Sequence, residues 1–93
     1  MEERAKHIAQ LLKVLANENR LLILCALMES EKTVGELAKC VPSISQSALS
    51  QHLSLLKTAA ILDFQKNGQT ITYCISDHRI EEIIEVLKRQ YCV

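Results

Sequence analysis

Large rings and backbone punctuation are scarce in this chain. Its 93 residues hold no tryptophan, one phenylalanine, two tyrosines, two glycines and one proline. Two glycines leave little room for a phosphate-cradling loop, where the backbone must approach its ligand closely at several points. No nucleophile, base and orienting group cluster along the sequence, so an enzyme is the least expected class. No apolar run approaches the ~18 residues that cross a bilayer. The opening MEERAKHIAQLL places acidic residues where a secretory leader is basic, so a cytoplasmic protein without a membrane role is expected. The cysteines at 25, 40, 74 and 92 include no Cys-x-x-Cys, which argues against a zinc ribbon. An intracellular compartment argues against structural disulfides.

What is present is aliphatic. Hydrophobic residues make up 48% of the chain and aromatics 3%. Residues 1–93 fit one domain, and a domain this small buries a marginal core unless something covers its remaining apolar surface. Net charge is zero, but it is unevenly spread. Residues 1–31 sum to −1, residues 32–72 (Lys32, Lys39, Lys57 and Lys66 against Glu36 and Asp63) to +2, and residues 73–93 to −1. A mildly positive middle implies few phosphate contacts and binding that gains from doubling the site in a dimer.

Ile8, Leu11, Leu12 and Leu15 recur at helical spacing and predict a first helix from about Glu2 to Leu15. Asn17 is the expected N-cap of a second helix through Arg20, Leu21, Leu24 and Leu27, ending near Ser30. Thr33 with Glu36 three residues on forms a capping box for a third helix, which Pro42 ends. Ser45, or Ser43 paired with Gln46, caps the fourth. After Ala60 the apolar period becomes two, and Ile61–Lys66 and Gln69–Ile75 flank the hairpin dipeptide Asn67-Gly68. Ile71, Tyr73 and Ile75 share one strand face, with Thr70, Thr72 and Cys74 on the other. Asp77 starts a last helix with the stripe Ile80, Ile83, Ile84, Leu87 and Tyr91. The fold expected is mainly α with a two-stranded β-wing: a winged helix-turn-helix, whose surplus terminal helices form a two-fold dimer interface.

The fourth helix, SQSALSQHLSLL, carries the chemistry. Leu49, Leu53, Leu56 and Ala60 recur at core spacing, and Gln46, Ser47, Ser50, Gln51 and Ser54 fall opposite. A solvated helix face is ordinarily mixed with Glu and Lys; this one has neither, nor any ring. Glutamine presents a paired donor and acceptor to adenine, and serine donates or accepts at several base edges. Gln46, Ser47, Ser50 and Gln51, with Lys57 beyond them and Lys66 at the wing, form the expected double-stranded-DNA-binding set. His52 lies between the two faces and is read as packing or phosphate contact rather than a metal ligand. Lys66 and Gln69 at the hairpin tip reach toward phosphate or minor groove, though a plain solvated turn fits them equally well.

Over essentially its whole length the chain resembles the ArsR/SmtB family of bacterial winged-helix repressors. The matching residues are NENRLLILCAL, TVGELAKCV, SQSALSQHLSLLK and the wing through Lys66, Gly68 and Tyr73. Within the family it is most similar to the HlyU, BigR and SqrR branch, where one cysteine ends the LILC stretch and a second lies at the end of the last helix, here Cys25 and Cys92. Ala60 departs from a frequent glycine, and the wing lacks a frequent arginine. The resemblance implies a homodimer whose recognition helices occupy successive major grooves of a near-palindromic operator. It also implies that metal sensing is absent. Ala38-Lys39-Cys40 leaves one thiol where a Cys-x-Cys pair would stand. Asp77 is retained, but Arg79 and Gln90 replace the imidazoles of the last-helix zinc site. No metal and no cofactor are expected.

By the branch resemblance, Cys25 and Cys92 form a dithiol sensor of sulfane sulfur or another oxidant. For Cys25 alone a small buried hydrophobe is the ordinary reading; Cys92 lies near a chain end, where packing rarely demands a thiol. Cys40 and Cys74 are read as bystanders. Three other readings stay open: a constitutive regulator or anti-silencer with incidental thiols, a winged-helix protein-interaction module, and a metal sensor using Cys40, His52 or His78.

Overall fold

The computed structural model describes residues 1–92. In chain order it contains α1 (Glu2–Leu15), α2 (Glu18–Glu29), β1 (Lys32–Thr33), α3 (Val34–Cys40), α4 (Gln46–Thr58), β2 (Leu62–Asn67), β3 (Thr70–Ile75) and α5 (His78–Tyr91). Four of these helices start at a side chain that accepts an otherwise unpaired backbone N–H. Asn17 Oδ1 accepts from the Asn19 and Arg20 amides at 3.0 and 3.1 Å. Thr33 Oγ1 accepts from Glu36 N at 3.1 Å while Glu36 Oε1 accepts from Thr33 N at 2.9 Å, the reciprocal capping box. Ser45, not Ser43, caps α4 through Ala48 N at 3.1 Å. Asp77 caps α5 through Arg79 N at 3.2 Å. Each cap contributes on the order of 1 kcal/mol.

The core is aliphatic and continuous. Ile23, Leu24 and Leu27 of α2 meet Leu37 of α3, Leu49, Leu53 and Leu56 of α4, Ile61, Leu62 and Ile75 at the wing base, and Ile80 and Ile84 of α5. No buried side-chain nitrogen or oxygen among the described residues lacks a hydrogen-bond partner. A second tie orders α1: the Arg20 guanidinium on α2 donates to the Val14 carbonyl at 2.6 Å, at the end of α1.

The sheet departs from the sequence expectation in two ways. It has three strands, in the order β1-β3-β2, because Lys32 and Thr33 pair antiparallel with Tyr73 and Thr72. A two-residue strand has no periodicity of its own, and only the pairing defines it. The hairpin also turns one residue later than Asn67-Gly68 suggests. Asn67 pairs with Thr70, so Gly68 and Gln69 form the loop. Gly68 has φ 62° and Gln69 has no positive φ, the pattern of a type II′ turn with glycine first. Faces are preserved, since Leu62, Phe64 and Lys66 stand opposite Ile75, Tyr73 and Ile71.

Ala60 is the other correction. It was expected on the core stripe of the fourth helix; instead α4 stops at Thr58 and Ala60 is exposed with φ 62°. The Ala60 amide donates to the Lys57 carbonyl and the Ile61 amide to the Leu56 carbonyl, each at 3.0 Å, closing a Schellman turn. That turn reverses the chain and buries Ile61 against the core. An alanine in the left-handed region is strained by its Cβ, partly offset by its lower backbone entropy relative to glycine. Ala60→Gly is therefore expected to raise stability by roughly 0.5–1 kcal/mol, measured as a higher unfolding midpoint; a lower midpoint would contradict the assignment.

The terminal helices, with Leu22 of α2, leave apolar side chains uncovered in the single chain. Ile8 and Leu12 of α1, Leu22 of α2, and Val86, Leu87 and Tyr91 of α5 are all exposed. Leu87 and Tyr91 thus continue the stripe expected on the last helix but lie outside this chain's own core, which takes Ile80 and Ile84.

Candidate nucleic-acid interface

The two faces of α4 are separated as the spacing requires. Leu49, Leu53 and Leu56 are buried, and Gln46, Ser47, Ser50, Gln51 and Ser54 are exposed. At about 100° per residue, the five polar positions cover an arc of roughly 140°. No carboxylate lies on α4 at all. His52 is half-buried beside the core face.

Beside this helix the wing forms one wall of a concave region of about 690 Å³, lined among others by Gln46, Ser50, Gln69, Thr70 and Tyr73. Thr33 and Gly35 at the start of α3 close its third side. Gln46 and Ser50 therefore share a surface with the wing tip. Gln51 and Ser54 face a neighbouring hollow against Val14 of α1. Thr33 and Thr70 read from the sequence as a helix cap and a strand residue, not as part of this surface. Thr33 arrives there through β1, and its pairing with a strand far along the chain has no local signature.

Lys66 lies on the exposed β2 strand, on the sheet face it shares with Ile71. Lys57 sits elsewhere, in the last turn of α4, roughly 16 Å along the axis from Gln46. Its ammonium is 3.8 Å from Asp63 Oδ1 and 5.7 Å from the centre of the Phe64 ring. Phe64 in turn packs at 5.5 Å on Tyr73. Burial of Tyr73 raises its phenol pKa, so it remains a neutral hydrogen-bonding group at the edge of the concavity.

Asp77, Arg79 and His78, three of the residues bearing on metal binding, are engaged with other side chains. Arg79 Nε and Nη2 donate to Asp77 Oδ1 and Oδ2, both at 2.9 Å. These bonds hold the Asp77 carboxyl below its usual range and push the Arg79 guanidinium up. His78 Nδ1 lies 2.8 Å from Glu81 Oε2 within the same helix. Among the described residues no three His, Cys, Asp or Glu side chains converge as a metal site. Cys25 is half-buried on α2, Cys74 half-buried on β3, and Cys40 and Cys92 are exposed.

A positively biased helix-turn-helix with a hairpin wing has counterparts among known proteins. Residues 17–63 match the family described as bacterial regulatory protein, arsR family. The chain belongs to the ArsR family. The transcriptional activator HlyU of Vibrio cholerae is 44% identical over 92 residues, spanning 99% of this chain and 84% of that protein. The structure of reduced HlyU from Vibrio cholerae N16961 matches with a TM-score of 0.88 at 43% identity, covering 100% of this chain and 97% of that one. The transcriptional repressor BigR from Xylella fastidiosa matches with a TM-score of 0.89 at 34% identity, covering 100% and 94%. The ArsR-family chain is thus a winged-helix, DNA-binding transcriptional regulator. These two relatives bear opposite labels, activator and repressor. The sign of regulation therefore does not follow from the fold. No helix among the described residues is long and apolar enough to cross a membrane.

Proposed function

We propose that this ArsR-family protein is a cytoplasmic homodimer that binds a near-palindromic operator and is switched by thiol chemistry at Cys25 and Cys92. The observation that carries the DNA reading is the carboxylate-free glutamine and serine face of α4, exposed beside the wing concavity. Gln46, Ser47, Ser50 and Gln51 read base edges, while Lys66 and Lys57 meet phosphate. Dimerisation is supported by the uncovered apolar side chains of α1 and α5. Burying them against a second copy would remove apolar surface from water and set two α4 helices about one DNA turn apart.

The switch rests on Cys92 being exposed at the end of α5 and Cys25 lying on α2, the helix at the centre of the core. A thiolate takes the sulfane sulfur of a persulfide, releasing the carrier thiol and leaving a protein persulfide. The second thiolate attacks its inner sulfur, forming a disulfide and expelling hydrogen sulfide. Bridging would tie α2 to α5 and shift the spacing of the recognition helices. A few kcal/mol of differential DNA affinity suffices for release.

The test is DNA binding by fluorescence anisotropy before and after glutathione persulfide, with intact mass followed in parallel. The wild type is expected to lose affinity by about tenfold or more, with the modified peptides mapping to Cys25 and Cys92. Cys92→Ser is expected to bind DNA as the reduced wild type does and to show no response. An unchanged response in Cys92→Ser would sink the switch and leave a constitutive regulator.

A further inference from the structure

The cation that α4 carries is not free. Between residues 32 and 72 the chain has only four lysines to offer phosphate. Of these, Lys57 is held at 3.8 Å by Asp63 and rests over Phe64. Lys66 has no carboxylate partner among the described residues. Asp63 is itself pinned, since its Oδ1 accepts the Phe64 amide at 2.8 Å. Both charges remain in contact with water, the side chains being 42% and 61% exposed. A phosphate approaching the junction of α4 and the wing therefore meets an ammonium whose attraction is already shared, with a fixed carboxylate beside it.

We propose that Asp63 is an intramolecular competitor for DNA phosphate that sets the strength and salt dependence of operator binding through Lys57. The proposal rests on the DNA-binding reading above and adds a restraint to it. Lys57 engages phosphate only by turning away from Asp63, and Asp63 keeps non-specific binding low in a chain whose recognition face is otherwise uncharged. This is an affinity-setting residue that touches no base. Its removal should tighten binding to every sequence alike, because phosphate contacts carry no sequence information.

Asp63→Asn tests this cleanly, because the asparagine Oδ1 can still accept the Phe64 amide. Lys57→Met removes the ammonium while leaving an aliphatic stem over the ring. Each variant and the double mutant are titrated by anisotropy against a labelled mixed-sequence duplex of roughly 30 base pairs, long enough for a dimer footprint, across roughly 50–300 mM salt. Asp63→Asn should bind about tenfold more tightly at low salt, with a log–log salt slope steeper by about one unit per protomer. In the Lys57→Met background the same change should give less than about a twofold gain. An equal gain with and without Lys57 would overturn the proposal, since Asp63 would then act as a diffuse charge. No gain from Asp63→Asn would overturn it as well. Failure of the wild type to bind any duplex would instead overturn the DNA-binding reading beneath it.

Discussion

Ser50→Glu should abolish DNA binding while leaving the fold intact, a loss of at least about a hundredfold in affinity. Ser50 is exposed in the middle of α4, lines the concavity with Gln46 and Gln69, and accepts nothing from the core. Glutamate is a better helix former than serine, so the helix itself should gain slightly. In the groove, however, the new carboxylate meets phosphates on both sides, and a like-charge contact of that kind costs several kcal/mol. In a dimer the cost arises twice. Circular dichroism should show an unchanged helix content and an unfolding midpoint within a few degrees of wild type. Wild-type DNA affinity in Ser50→Glu would mean that α4 does not enter the groove.

Leu53→Ala, one turn away on the adjacent buried stripe, should produce the reverse pattern. Leu53 is 1% exposed and sits in the cluster that joins α4 to the rest of the core. Truncation removes three buried carbons and leaves a cavity that a well-packed interior closes only in part. The expected loss is about 3 kcal/mol, which lowers the thermal midpoint by roughly 12–24 °C for a domain of this size. In the proposed dimer that midpoint depends on concentration, so the two proteins must be compared at equal concentration. A loss under about 1 kcal/mol would mean that the site can collapse or that α4 is less firmly docked than its burial indicates. Together the pair separates the two jobs proposed for one helix: Ser50 for contact outward and Leu53 for attachment inward.

How far the sequence reveals this molecule depends on the range of the interaction. Caps are legible because donor and acceptor lie within three residues. Asn17, Thr33 with Glu36, Ser45 and Asp77 all act as their positions suggest. The split of α4 into leucine and polar faces is likewise local, set by helical period alone. β1 is not legible, since its two residues become a strand only by pairing with Thr72 and Tyr73. Ala60 misled because the period of α4 runs on into a residue whose backbone has already reversed. The glycine shortage noted in the sequence is felt there, where alanine occupies a left-handed turn. The hairpin dipeptide located the wing to within one residue, but the pairing of Asn67 with Thr70 moved the loop to Gly68 and Gln69. The Lys57–Asp63 contact had no local signal: the partners lie six positions apart, and a tight reversal between them brings them together.

The apolar side chains exposed on α1 and α5 follow the helical period without being covered by this chain. Leu12 and Leu87 read as core residues by period, yet each is about half exposed at 54% and 46%. Helical spacing reports that a face will be covered without saying which chain covers it. The proposed two-fold partner would resolve the conflict economically.

The most direct test of the central claim is selection of binding sites from a random-sequence duplex pool by the reduced protein, followed by sequencing of the retained DNA. A homodimer reading DNA through α4 should enrich an inverted repeat with half-sites about 10–10.5 base pairs apart. Ser50→Glu in parallel should enrich nothing. Recovery of no motif by the wild type, or of the same motif by both proteins, would contradict the assignment of α4 as the element that reads the operator.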